Sequence, residues 1–219
     1  MVLALIGNTE GKNPFGLLGG HCITSEDDLL TENSSGRKGI CQAIYFNRMF
    51  VAFWLKKYDE AAEFATLFRN LSGISMRFYD LYHTFYEGLL AFHFARSSTD
   101  ESIKLKWLGV GEESIDRFKV LQEHSTWNFE NNYYLLQAEC HRCRGESDNA
   151  DSKYLAATES ARRHRFVHEE GLAMELYASF LAEKGESDKS KTWLLLAIEC
   201  YVKWGGHAVV KELKFCTVP

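Results

Sequence analysis

The densest set of metal-ligating side chains in the chain is Cys140-His141-Arg142-Cys143. Zinc takes four ligands in a tetrahedron, usually from two closely spaced pairs. Adjacent residues on a helix point about 100° apart, so Cys140 and His141 do not converge on one ion. No second pair accompanies Cys140 and Cys143, and a structural role is the expectation. Gly7 and Gly11 stand ahead of Lys12 in a superficial likeness to a phosphate-binding loop. That loop needs four residues between its glycines and a hydroxyl residue after the lysine. Here Asn8-Thr9-Glu10 separates the glycines and Asn13 follows the lysine. Cys22 beside His21 is the one pair a cysteine hydrolase could draw on, but adjacency alone does not place a base against a thiolate. Arg162-Arg163-His164-Arg165, with His168 beyond, falls at a predicted helix C-terminus, where the helix dipole favours cations. Glu112-Glu113 and Glu169-Glu170 read as solvated surface charge. The expectation is no catalytic residue, no cofactor and no metal.

The bulk properties narrow the class further. The chain has 219 residues, 46% hydrophobic and 25% charged, the balance of a folded domain. A net charge of −5 and a pI near 5.9 argue against a nucleic-acid partner. Val2 to Ile6 is too short to span a bilayer and lacks a basic leader, so neither membrane insertion nor secretion is expected. The six cysteines, at 22, 41, 140, 143, 200 and 216, fall largely inside apolar patterns. They read as reduced core thiols of a cytoplasmic protein.

Such a chain must hold its side chains on helices. Pro14 and Pro219 are the only prolines, leaving 15–218 free for consecutive helices. Residues 1–38 are glycine-rich and read as an entry segment with at most one short helix, around Ser25 to Thr31. From 39 to 215 the spacing is helical throughout. Ala43, Phe46, Phe50, Phe53 and Trp54 recur mostly at three- and four-residue steps. Further helices are predicted from about Asp59 and over roughly 76–96, 100–123, 127–144, 148–164, 168–184 and 187–204, with a short one at 207–214. Short breaks at Ser72-Gly73, Ser97-Ser98, Gly145 and Gly185 make neighbouring helices antiparallel hairpins.

The last breaks reveal a repeat. Gly145-Glu146-Ser147-Asp148 and Gly185-Glu186-Ser187-Asp188 are identical turns 40 residues apart (185 − 145). Small residues flank both at matching offsets: Ala138 and Ala178, Ala150 and Ser190, Ala157 and Ala197. Bulky Tyr154 and Leu194 also match. Close-packed helices need small residues where backbones approach and large ones in the gaps. Lys56-Lys57-Tyr58-Asp59-Glu60-Ala61 is a weaker, earlier copy.

These turns and alanines resemble the tetratricopeptide repeat, although its period is 34. The stretch from Tyr133 to Glu139, with Tyr154–Ala161, Glu169–Leu176 and the ending Ala197–Gly205, resembles the helical region of large ATPase-linked multi-sensor kinases. The resemblance covers roughly 35–215. It implies an all-α stack of antiparallel helix hairpins, wound as a right-handed superhelix, that couples domains and does no catalysis. No nucleotide-binding, sensor or phospho-acceptor module accompanies it in this sequence. In that geometry the first helix of each pair lines a concave groove. Register puts Phe46, Phe50 and Phe53 there in the first copy, Asn132, Leu135, Glu139 and Arg142 in the second, and Glu175 in the third. The expected function is a protein-interaction or signal-coupling scaffold with a protein or peptide partner. The alternative is a small-molecule sensor closing on an apolar ligand near the three phenylalanines.

Overall fold

In a computed structural model, the described residues are 38–71 and 77–216. The expectations for residues 1–37, including the Gly7–Lys12 segment, the His21-Cys22 pair and the helix near Ser25, lie outside them, as does the break at Ser72-Gly73. The described residues are helical, with no strand among them. The helices are α1 (Lys38–Trp54), α2 (Tyr58–Asn70), α3 (Arg77–Ser97), α4 (Glu101–His124), α5 (Thr126–Cys143), α6 (Ser147–His164), α7 (Val167–Glu183), α8 (Ser187–Trp204) and α9 (His207–Cys216). No helix among the described residues is long and apolar enough to cross a membrane.

The chain divides into two compact units, with the boundary inside α3. One comprises residues up to Tyr86 together with the segment from Gly206, and the other runs from Glu87 to Gly205. In the first, α1 packs on α2. Its core is aromatic. Phe50, Phe53 and Trp54 surround Tyr86 at ring separations of 4.8 to 6.4 Å, and Phe68 stacks on His83 at 4.3 Å. The His83 ring nitrogen Nε2 lies 3.0 Å from the Ala65 carbonyl oxygen.

In the second unit α4 packs on α5, α5 on α6, α6 on α7 and α7 on α8, and α5 also touches α7. Asp100 caps α4, its Oδ1 accepting from the amides of Ser102 and Ile103 at 2.8 and 3.2 Å. That satisfies two of the donors a helix start leaves open. The later helices end on residues with left-handed backbone, at Gly145, Arg165, Gly185 and Gly205, spaced evenly by 20. The two glycine turns share their hydrogen bonds. Gly145 N–H donates to Arg142 O at 3.1 Å and Glu146 N–H to His141 O at 2.9 Å. Forty residues on, Gly185 donates to Ala182 O at 3.0 Å and Glu186 to Leu181 O at 2.9 Å. This pair of bonds closes a helix on a residue with positive φ. Lys56, with φ of 61°, makes the same two bonds, from its own amide to Phe53 O and from Lys57 to Ala52 O. The earlier, weaker copy of the turn is thus the same structure without glycine.

The repeated small residues sit where the helices meet. Ala138, Ala150, Ala157, Ala178 and Ala197 are buried. Ser190, standing where Ala150 stands one repeat earlier, turns its hydroxyl onto Ala178 O at 2.8 Å. Gly171 marks a close approach of α7 and α8, since a Cβ there would lie 2.7 Å from the Tyr201 ring.

Candidate functional site

The residues expected to line a groove are brought together differently. Phe46, Phe50 and Phe53 are 3 to 8% exposed and packed in the aromatic core of the first unit. Asn132, Leu135, Glu139, Arg142 and Glu175 lie in the second unit, each at most 8% exposed. All eight are interior. Register fixes which face of a helix a residue occupies, but these faces are covered by the neighbouring helices, and the polar groups on them are consumed internally.

Glu139 shows how. Its carboxylate is 1% exposed and lies between two guanidinium groups, Arg96 Nη1 from α3 at 2.5 Å and Arg142 Nη1 at 3.4 Å. The Tyr154 hydroxyl from α6 donates to it as well. Arg142 then reaches α7, donating from Nε and Nη2 to the two carboxylate oxygens of Glu183 at 2.9 and 2.5 Å and from Nη2 to Ser179 Oγ at 2.9 Å. Two arginines thus balance two glutamates across three helices, with the Tyr154 hydroxyl joining from a fourth. Burial alone would raise the Glu139 carboxyl, but Arg96 and Arg142 hold it below the usual carboxylate range. Burial beside Glu139 drives the Tyr154 hydroxyl well above its ordinary value. A buried charge persists only when paired and hydrogen-bonded, and here both conditions hold.

Two smaller clusters hold buried carboxylates with neutral hydrogen-bond donors. Tyr201 OH on α8 donates to Glu175 Oε2 at 2.7 Å. Glu169 accepts from Asn131 Nδ2 at 2.6 Å and Asn132 Nδ2 at 3.2 Å. Glu169 is 4% exposed, which corrects its reading as solvated charge. It sits in the first turn of α7, where the helix dipole favours an anion. Beside it His168 stacks on Trp204 at 5.2 Å, and burial lowers its pKa despite Glu169.

The remaining candidates resolve into structure. The Cys143 thiol donates to Phe92 O at 3.4 Å, and burial pushes it up to about 11, which leaves it a poor nucleophile. Cys140 is 4% exposed. Among the described residues no group of three or more His, Cys, Asp or Glu side chains could hold a metal ion. Arg162, Arg163 and His164 do close α6, and all three are engaged: Arg162 with Glu170 and Arg163 with Glu130, each at 2.8 Å, and the His164 ring against Trp127 at 4.5 Å.

Two surface clefts lie on the second unit. One, of about 280 Å³, lies between α4 and α5 and includes Glu112, Ile115, Gln137 and Arg144. The other, of about 530 Å³, is walled by α6, α7 and the start of α8 and includes Ser152, Leu155, Tyr177 and Lys184. Cys140 and His141, weighed from sequence as metal ligands, also line the first cleft, whereas Ile115, Gln137, Ser152, Leu155 and Tyr177 were not singled out from sequence. The signal that reaches them is the 40-residue period itself. The chain matches no protein-family model, no curated protein and no solved structure.

Proposed function

We propose that the chain is a non-catalytic interaction or coupling scaffold built of tetratricopeptide-like hairpins. The observation that carries this reading is the turn geometry of the second unit. Left-handed residues recur every 20 positions, and the glycine turns at 145 and 185 share the same hydrogen bonds. A hairpin used twice in register cannot bury its apolar face alone and does so by stacking. Stacks of this kind present long ribbed surfaces whose use is to bind other proteins or peptides. The network from Arg96 to Glu183 adds to the case, because it ties α3, α5, α6 and α7 into one lever suited to passing a displacement along the stack. The resemblance to the helical region of ATPase-linked kinases points to the same role, with a right-handed superhelical path.

The test is affinity capture with the purified chain, followed by cross-linking of the retained protein and titration of the isolated pair. Saturable, stoichiometric binding is the expected outcome. Absence of any partner, together with substrate turnover by the purified chain, would sink the scaffold.

A further inference from the structure

The last helix of the second unit, α8, carries an open aliphatic strip. Leu195 is 63% and Val202 50% exposed, with Leu196 beside them at 37%. Lys191 and Glu199 stand one turn before and one turn after Leu195, and both are exposed. Residues four apart share a helix face, so Lys191, Leu195 and Glu199 lie in one row. The two charges are about 12 Å apart along the axis, too far to meet each other. Among the described residues neither forms an ion pair.

A row of this order is complementary to itself. With two copies of α8 antiparallel about a two-fold axis at Leu195, each residue meets the one equally far from Leu195 on the opposite side. Leucine then meets leucine, and Lys191 of each copy meets Glu199 of the other. Asp188 and Val202 are two turns out, where helices crossing at about 20–50° have diverged. The equivalent row one repeat earlier, on α6, is Asp151, Leu155 and Glu159, acidic on both sides. Its carboxylates are engaged within the unit, Asp151 accepting from Tyr177 OH at 2.8 Å and Glu159 pairing with Arg162 at 3.5 Å. Two copies of α6 would set acid against acid. One exchange, lysine at 191 for aspartate at 151, makes the row on α8 self-complementary.

We propose that this face of α8 is a self-association surface, through which two copies of the chain pair antiparallel, Leu195 on Leu195, between two Lys191–Glu199 ion pairs. The proposal goes beyond the scaffold reading, and neither depends on the other. An isologous contact closes at two copies. The face of one helix is a small interface, so the dimer is weak and forms at about 10–100 μM.

The test is sedimentation equilibrium of the full chain over about 1–300 μM, the range that a contact of this size calls for. The parent is expected to show a monomer–dimer equilibrium. Leu195→Asp weakens it at least tenfold, by placing two carboxylates at the axis. Lys191→Glu and Glu199→Lys each weaken it about fivefold, because each turns two attractions into two repulsions. The double variant K191E/E199K pairs as the parent does. A mixture of the two single variants associates more tightly than either alone, since one row is then acidic at both ends and the other basic. Leu155→Asp, at the equivalent place on α6, leaves association unchanged. Circular dichroism and the melting temperature confirm that each variant folds, and all the changes are at exposed positions. A chain that stays monomeric throughout, a dimer indifferent to Leu195→Asp, or charge exchange that restores nothing overturns the assignment.

Discussion

The two units share an apolar helical core but differ in what they add to it. The one containing α1 and α2 fills its interior with rings: Phe46, Phe50, Phe53, Trp54, Phe68 and Tyr86. Ring burial is strong and tolerant of exchange, since volume and apolarity are most of what it requires. The unit from Glu87 to Gly205 buries alanines at its crossings and places carboxylates and guanidinium groups between its helices. A buried ion pair contributes little net stability because desolvation offsets it, yet it is satisfied in one arrangement only. The first core supplies adhesion, and the second supplies register, which a stack of helices lacks if alanine contacts alone align it.

The largest expected effect comes from breaking that register device. Arg142→Met leaves Glu139 with one guanidinium in place of two and Glu183 with none from α5, and losing one side of a buried pair costs about 3–5 kcal/mol. Phe50→Leu in the aromatic core is expected to cost under about 1.5 kcal/mol. Denaturant unfolding followed by segment-resolved hydrogen exchange reports each unit separately. Similar losses in the two would remove the contrast. Acid sharpens the same comparison. The Glu139 carboxyl is held below its unfolded value, so the stability it contributes is present above the unfolded pKa and lost as pH falls through the folded one. His168 is also depressed, so its unfolded form takes up a proton first and the same sign applies. The second unit should therefore lose hydrogen-exchange protection at a higher pH than the first, and the reverse order would count against the charged network as its fastening.

Much of this architecture is legible in sequence, and the part that is not has a physical reason. Helix spacing, the turn at Gly145 and Gly185, and the small residues at 138, 150, 157, 178 and 197 depend on neighbours within a turn or two, or on a period read off the chain itself. Asn132, Glu139, Arg142 and Glu175 read as groove-lining because register puts them on the inner face of the first helix of each pair. Their partners are Glu169, Arg96, Glu183 and Tyr201, 26 to 43 residues away. No local pattern announces that a carboxylate will be buried against an arginine two helices distant. The clefts were within reach, because the period that links the turns also links Ile115 to Leu155 and Arg144 to Lys184.

A middle-sized effect tests how closely the second unit is fitted. A Cβ on Gly171 would lie 2.7 Å from the Tyr201 ring and 3.1 Å from Cys200 Cβ. Gly171→Ala must therefore displace the Tyr201 ring or the α8 segment that carries it, at about 1–3 kcal/mol. Gly109, inside α4, has open space around it, and Gly109→Ala should stabilise by about 0.5–1 kcal/mol through helix propensity alone. Thermal melts of the two variants should move in opposite directions. A shared sign would mean that the α7–α8 contact yields easily, contrary to a unit held in one register.

The smallest effects come from the turns and reverse sign between the units. Gly145 and Gly185 hold φ of 73° and 80° with nothing near the place of a Cβ, so only backbone conformation opposes a side chain there. An alanine in the left-handed region costs about 1–2 kcal/mol, and a stiffer unfolded chain returns about 0.4–1 of it. Gly145→Ala and Gly185→Ala should each destabilise by about 1 kcal/mol, equally, because they occupy one turn used twice. Lys56 makes that turn in the first unit with a side chain already in place at φ of 61°. Lys56→Gly should therefore stabilise by a few tenths to about 1 kcal/mol, by the same arithmetic with the sign changed. Unequal costs at 145 and 185 would show that the two hairpins, alike in hydrogen bonding, are not alike in energy. The 40-residue period would then govern geometry without governing stability.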